Sequence, residues 1–204
     1  MRLAVVALLA VFAACSSRSQ PLPVELPGIP LDTDPTLAIS TADGGIAHAC
    51  AVDGFIITAR HVVVDEAAKR YVRDLAWSDG FGNDGFASVV AVSPAVDLAI
   101  LVVVGDHQPK YLPSGVVKPG DEVFWFEYDF RTQANALRAR RRLATVLRIV
   151  AQQIILDSVP VGGASGTCLL NTRGEVVGIV TAGWDTDDDL GAGSAVKLPA
   201  LPKE

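Results

Sequence analysis

Short apolar runs cut at close intervals by turn residues dominate this chain, and that cadence limits what it can fold into. Residues 37–41, 46–52 and 55–58 are apolar-rich and are separated by Asp43-Gly44-Gly45 and by Asp53-Gly54. Asp-Gly between apolar runs signals a hairpin, because both residues tolerate the positive φ of a tight reversal. Further along, 86–92 alternates, 98–104 reads as a buried strand by length and β-branched content, and 121–130 alternates with aromatics. Residues 143–150 and 154–158 read as another strand pair, with strands also expected at 169–170, 175–182 and 193–198. Residues 66–74 are expected as one short helix, 78–85 as a loop, and 113–120 as a turn-rich link between two halves. No internal repeat and no long amphipathic helix interrupts the pattern. Many short strands with frequent Gly, Asp and Pro turns imply an all-β sandwich or barrel, and pattern alone does not choose between them.

At 204 residues the chain fits one domain or a compact pair of small barrels. Half of it is apolar and 20% charged, which suffices for a packed core. A formal net charge of −6 argues against non-specific nucleic-acid binding, which requires a basic face.

The N-terminus adds a location. Met1-Arg2 and then the apolar stretch from Leu3 to Ala14 form a basic start, an apolar middle and small residues before Cys15. Too short for a stable bilayer span, the stretch reads as an export signal over residues 1–15. Its ending, Phe12-Ala13-Ala14-Cys15, is similar to a bacterial lipobox, which implies a lipidated Cys15 and a lipoprotein of the cell or outer membrane, facing the periplasm or the exterior. Ordinary signal cleavage near Ala14 is the alternative. Residues 16–35 carry Pro21, Pro23, Pro27, Pro30 and Pro35, a density that favours extended backbone and reads as a tether. Export means an oxidising compartment, where Cys50 and Cys168 are able to pair.

Chemistry points to Val161-Gly162-Gly163-Ala164-Ser165-Gly166-Thr167-Cys168-Leu169-Leu170, a serine set among glycines between apolar segments. Such a turn lets backbone approach a ligand closely, and a serine on it is either a nucleophile beside oxyanion-binding N–H groups or part of a plain hairpin connection. A serine nucleophile needs a base, and histidine is the usual one. Of the three histidines, His107 lies in a polar turn and reads as solvated, and His48 sits in an alternating strand and reads as structural. His61 ends an apolar strand, where a rigid scaffold presents side chains to a cleft. Asp97, at the start of a strongly apolar strand, is the candidate to orient that imidazole, or else a turn residue bonding nearby backbone.

The order His61, Asp97, Ser165 is informative, since lipase-like hydrolases run Ser, acid, His and subtilisin-like proteases Asp, His, Ser. With Gly54-Phe55-Ile56-Ile57-Thr58-Ala59-Arg60-His61-Val62-Val63, Asp97-Leu98-Ala99-Ile100-Leu101, the run from Asp157 to Gly166, Gly174-Glu175-Val176-Val177-Gly178-Ile179, and Lys118-Pro119-Gly120-Asp121, the chain resembles a trypsin-like (chymotrypsin-fold) serine protease of the compact bacterial Deg-like type. The resemblance spans about residues 37–199. It implies a protease domain over 36–204 with two six-stranded antiparallel barrels, one about 36–112 and the other about 113–199, and the site in the cleft between them. It further implies a polypeptide substrate, His61 as base, Asp97 as its orienting carboxylate, Ser165 as nucleophile, and the N–H groups of Gly163 and Ser165 as oxyanion hole. No cofactor is implied.

This sequence also departs from the family's pattern. Around the nucleophile the family usually reads Gly-Asp/Asn-Ser-Gly-Gly-Pro, whereas Ala164, Thr167 and Cys168 stand here. Ala164 removes a side chain that often steadies the oxyanion loop. The fold implied by the resemblance is able to bring Cys50 and Cys168 together across the cleft floor, and a disulfide between them is expected. A zinc set of His48, Cys50, His61 and Cys168 lacks any close-spaced ligand pair, and no metal is expected. Arg138, Arg140, Arg141, Arg142 and Arg148 read as a solvated face or a contact for anionic groups. Asp185, Asp187, Asp188 and Asp189 form an acidic loop. By the same resemblance, Val159, Val180, Thr181 and Ala182 line the substrate pocket, whose small or apolar character suits apolar side chains. Three readings result: a membrane-tethered serine endopeptidase, a protease-fold binding module without turnover, and an all-β structural lipoprotein.

Overall fold

In the computed structural model, residues 36–40, 45–65, 70–79, 82–93, 95–128, 139–181, 192–199 and 201 are described. The leader, Cys15, the tether, Ala182 and the acidic run at 185–189 lie outside them. Among the described residues no helix is long and apolar enough to cross a membrane.

The fold is all-β, with two closed antiparallel barrels of six strands. The first uses β1 (Thr36–Ser40), β2 (Ile46–Val52), β3 (Phe55–Thr58), β6 (Asp74–Ser78), β7 (Asp84–Val92) and β8 (Ala99–Val104), in the order β1-β2-β3-β8-β7-β6. The second uses β9 (Glu122–Tyr128), β10 (Ala139–Val150), β11 (Gln153–Leu156), β12 (Cys168–Asn171), β13 (Val176–Thr181) and β14 (Gly193–Lys197), in the order β10-β11-β14-β13-β12-β9. A single-turn helix, α1 (Arg60–Val63), and a two-stranded ribbon of β4 (Val64–Asp65) and β5 (Arg70–Tyr71) follow β3. Closure removes the exposed strand edges that would otherwise template aggregation.

Strand parity explains the long apolar runs. Side chains alternate between faces, and here both faces of several strands are covered. On β2, Ala49 and Ala51 fill the first barrel, while Cys50 and Val52 face a second cluster shared by the two barrels. On β9, Val123 and Trp125 fill the second barrel, while Phe124 and Phe126 join that shared cluster. A strand packed on both faces has no polar side to advertise, so Phe55-Ile56-Ile57 and Val123-Phe124-Trp125-Phe126 read as unbroken hydrophobic stretches.

Two expectations are corrected. The helix expected over 66–74 does not exist in its described part: Arg70–Tyr71 pairs with Val64–Asp65, and Asp74 begins β6. The Val64↔Tyr71 pairing, extended by the Val72 N–H to Val63 C=O bond of 2.8 Å, outweighs the weak local helix preference of this polar stretch. β6 itself, closing the first barrel between β1 and β7, was not expected as a strand.

Candidate active site

His61 is positioned by the break between β3 and β4. Ala59 is extended (φ −69°, ψ 141°) and the chain then turns once through α1, with the Val62 N–H donating to the Ala59 carbonyl at 3.1 Å. The β-branched run Val62-Val63-Val64 resists further helix and returns the chain to strand. Asp97 sits on a bend just before β8. Ser93 Oγ accepts the N–H groups of Ala95 and Val96 at 3.3 Å each, and the Ser93 N–H donates to the Leu98 carbonyl at 2.9 Å. This side-chain-stabilised turn fixes where the carboxylate points.

The two residues meet at two points. Asp97 Oδ2 lies 2.7 Å from His61 Nδ1, and Asp97 Oδ1 accepts the His61 main-chain N–H at 3.0 Å. An ionised carboxylate only accepts, so Nδ1 carries the proton and Nε2 is left as the basic nitrogen. The hydrogen bond to Asp97 raises the His61 pKa above its ordinary value against the opposing effect of burial. Burial works against ionisation of Asp97, but the hydrogen bonds from the His61 ring and main chain, with the Arg60 N–H, hold its carboxyl below the usual range. Both side chains remain partly open to solvent, at 46% and 29% exposure.

Ser165 stands on a double reversal. The Ala164 N–H donates to the Val161 carbonyl at 3.1 Å, and the Thr167 N–H to the Ala164 carbonyl at 3.1 Å. Gly163 and Gly166, third residues of those two turns, have φ of +96° and +89°. A bond from residue i to i+3 with positive φ at the third position defines a type II turn, which demands glycine there. Ser165 thus occupies the second position of the second turn, half-buried at its corner. Among the described residues, the N–H groups of Gly163 and Ser165 donate to no acceptor, and Ser165 Oγ makes no hydrogen bond to His61. Such contacts are commonly long without substrate.

The turn is clamped from both barrels. From β2, His48 Nδ1 donates to the Gly163 carbonyl at 2.8 Å. The His48 carbonyl, which accepts the Thr58 hydroxyl, is packed directly against Gly166. Two residues on, Cys50 forms a disulfide with Cys168, as expected, with a Cα–Cα distance of 5.0 Å. Oxidation to one another removes both cysteines from any zinc set. From β13, Val180 accepts the Gly166 N–H at 2.8 Å and donates to Thr167 at 2.9 Å through its main chain. Its side chain turns into the core of the second barrel, fully buried. Thr181 is also buried and bonded to Ser194, whereas Val159 is 45% exposed beside the turn. Thr167 is fully buried, its hydroxyl without a partner among the described residues.

Sequence reasoning treated His48 as structural and overlooked its reach to Gly163. Parity held the clue: His48 and Cys50 share a strand face, so a Cys50–Cys168 bond directs His48 to the same turn. Glu127 was missed altogether. It lies buried near the end of β9 and accepts the Val161 N–H. The arginine run is not simply solvated: Arg142 pairs with Glu127 at 2.6 Å, and Arg141 stacks 4.0 Å above the Phe124 ring.

Two closed β-barrels, a carboxylate-held histidine and a serine on a glycine turn define the architecture of the chymotrypsin-like serine proteases. A family model described as "Trypsin-like peptidase domain" matches residues 45–179, and the chain belongs to that family. Solved structures share the fold. A human pathogenic astrovirus serine protease aligns with a TM-score of 0.62 and 17% identity, over 82% of this chain and 91% of that one. A serine endoprotease from Yersinia pestis gives 0.62 and 19%, over 81% of this chain and 59% of the longer Yersinia chain. The MamO protease domain from Magnetospirillum magneticum gives 0.60 and 21%, over 81% and 92%. No curated protein matches the sequence.

Proposed function

We propose that this chain is a serine endopeptidase acting through His61, Asp97 and Ser165. One observation carries the reading: Asp97 grips His61 at ring and main chain, fixing the tautomer whose Nε2 accepts a proton. As Ser165 Oγ attacks the substrate carbonyl, its proton passes to Nε2, and Asp97 stabilises the resulting imidazolium. The N–H groups of Gly163 and Ser165, unengaged within the described residues, receive the oxyanion. Collapse of the tetrahedral intermediate expels the amine, which takes the proton from His61. Water, activated by the same base, then releases the acyl group. Residues 1–35 supply the export signal, the lipid anchor at Cys15 and the tether that hold the domain at a membrane surface.

The second reading, a binding module without turnover, is favoured by the apolar Ala164 inside the turn and by the missing Ser165–His61 bond. A fluorophosphonate probe separates the two when wild type is compared with Ser165→Ala. Labelling of wild type alone is expected; equal labelling of both, or of neither, removes the peptidase reading.

A further inference from the structure

We propose that Glu127 is a positioning residue for the nucleophile turn and that Arg142 holds it in that role, an inference that rests on the peptidase reading above. Glu127 is only 6% exposed, yet its carboxylate accepts three N–H groups. Oε2 takes Arg142 Nε at 2.6 Å, while Oε1 takes the Trp125 indole N–H at 3.3 Å and the Val161 main-chain N–H at 3.2 Å. Val161 is the first residue of the double turn, so this bond fixes the point from which Gly163 and then Ser165 are presented.

Register explains how the pair forms. Arg142 lies opposite Trp125, and Arg140 opposite Glu127, so Arg142 reaches Glu127 along the strand diagonal. Stability does not account for the arrangement, because a half-exposed arginine gains little against the cost of burying the Glu127 carboxylate. Need at the turn does account for it. Ala164 sends its side chain into the apolar core of the second barrel and offers no polar anchor. Gly163 is fixed from the first barrel by His48, and Gly166 from the second by the main chain of Val180. Only Glu127 fixes the start of the turn by a side chain of the second barrel, among the described residues.

The experiment compares wild type, Glu127→Leu, Glu127→Gln, Arg142→Met and Ser165→Ala, each with the Cys50–Cys168 disulfide confirmed by mass. Fluorophosphonate labelling rates and kcat and KM for a p-nitrophenyl ester are measured. A lost anchor at the turn is expected to slow Glu127→Leu by about 10- to 100-fold in labelling and kcat, with KM within about two-fold. Glu127→Gln recovers most of the rate, since a carboxamide oxygen still accepts the Val161 N–H, and Arg142→Met falls between them. A merely structural role predicts neither the kcat-only loss nor the glutamine rescue. Folded Glu127→Leu that labels at the wild-type rate overturns the proposal; where that variant does not fold, Arg142→Met at the wild-type rate does so. If wild type labels no faster than Ser165→Ala, the peptidase reading is what fails. Exchange of the Val161 amide then decides: acceleration of about ten-fold or more in Arg142→Met or Glu127→Leu sustains the anchoring, and unchanged protection overturns it.

Discussion

Replacing Gly166 with alanine tests how the Ser165 turn is held. Two costs arise. At φ +89° an L side chain is strained by about 1–2 kcal/mol. An added Cβ would also run into the His48 carbonyl oxygen and lie 2.7 Å from both the carbonyl carbon of His48 and Thr58 Oγ1. Those atoms are backbone of β2 and the hydroxyl bonded to it, so no flexible side chain end can swing aside. Overpacking of this kind costs about 1–3 kcal/mol, and parting Thr58 from the buried His48 carbonyl adds about 1–3 kcal/mol. The sum is roughly 3–8 kcal/mol, a large fraction of the 5–15 kcal/mol by which domains are stable.

Gly163→Ala is the matched control. Its φ of +96° imposes the same strain, but a Cβ there meets nothing within 4 Å. That variant should lose only about 1–2 kcal/mol. At roughly 2–4 °C per kcal/mol for a domain of this size, Gly166→Ala melts at least about 6 °C below wild type and Gly163→Ala at most about 8 °C below, the former always lower. Calorimetry on both, with the disulfide checked by mass, reads the difference. If the two variants melt within about 2 °C of each other, the first barrel does not press on the turn and the reasoning is wrong.

Four further outcomes are expected. Hydrolysis falls as pH drops through the His61 pKa, which the Asp97 bond holds above the ordinary value of about 6.5. Asp97→Asn moves that limb to lower pH and cuts kcat on the order of 10⁴-fold, and a flat acid limb down to about pH 4 contradicts the role of His61. Stability follows the same pair: the raised His61 contribution fades as pH rises through its folded pKa, and the lowered Asp97 contribution fades as pH falls through its own, leaving the gain greatest between them. Removing the Cys50–Cys168 bond with paired alanines, across a separation of 118 residues, lowers stability by roughly 2–4 kcal/mol, and alkylation of either thiol in unreduced protein argues against the bond. Cys15→Ser abolishes palmitate incorporation and membrane partitioning; wild type without lipid refutes the anchor.

The fold was legible where burial is symmetrical. β3 and β9 announce themselves because a barrel interior covers one face and the shared cluster the other, which leaves runs of apolar and aromatic residues in the sequence. β6 was not, because its Leu75 and Trp77 alternate with residues that face outward or only half inward, within a polar neighbourhood. The start of β10 was hidden for a related reason. Arg140, Arg141 and Arg142 look like a solvated run until Glu127 and Phe124, on the neighbouring strand, supply a partner and a ring. Charge in a strand is a statement about the facing strand, which local sequence does not contain.

The site divides along the same line. His61, Asp97 and Ser165 were visible because each sits in a local motif with its own turn chemistry. Their supports were not: His48 reaches Gly163 over 115 residues of sequence and Glu127 reaches Val161 over 34. With alanine at position 164, the turn contains no polar side chain of its own between Val161 and Ser165. Its shape is therefore set from outside, by a histidine and a cysteine on one barrel and a carboxylate on the other. It follows that the geometry around Ser165 depends on the register of the two barrels. Substitutions on β2 or β9 that leave every residue of the turn intact can thus reach Ser165, and those that spare His48, Cys50 and Glu127 on the same strands leave these anchors in place.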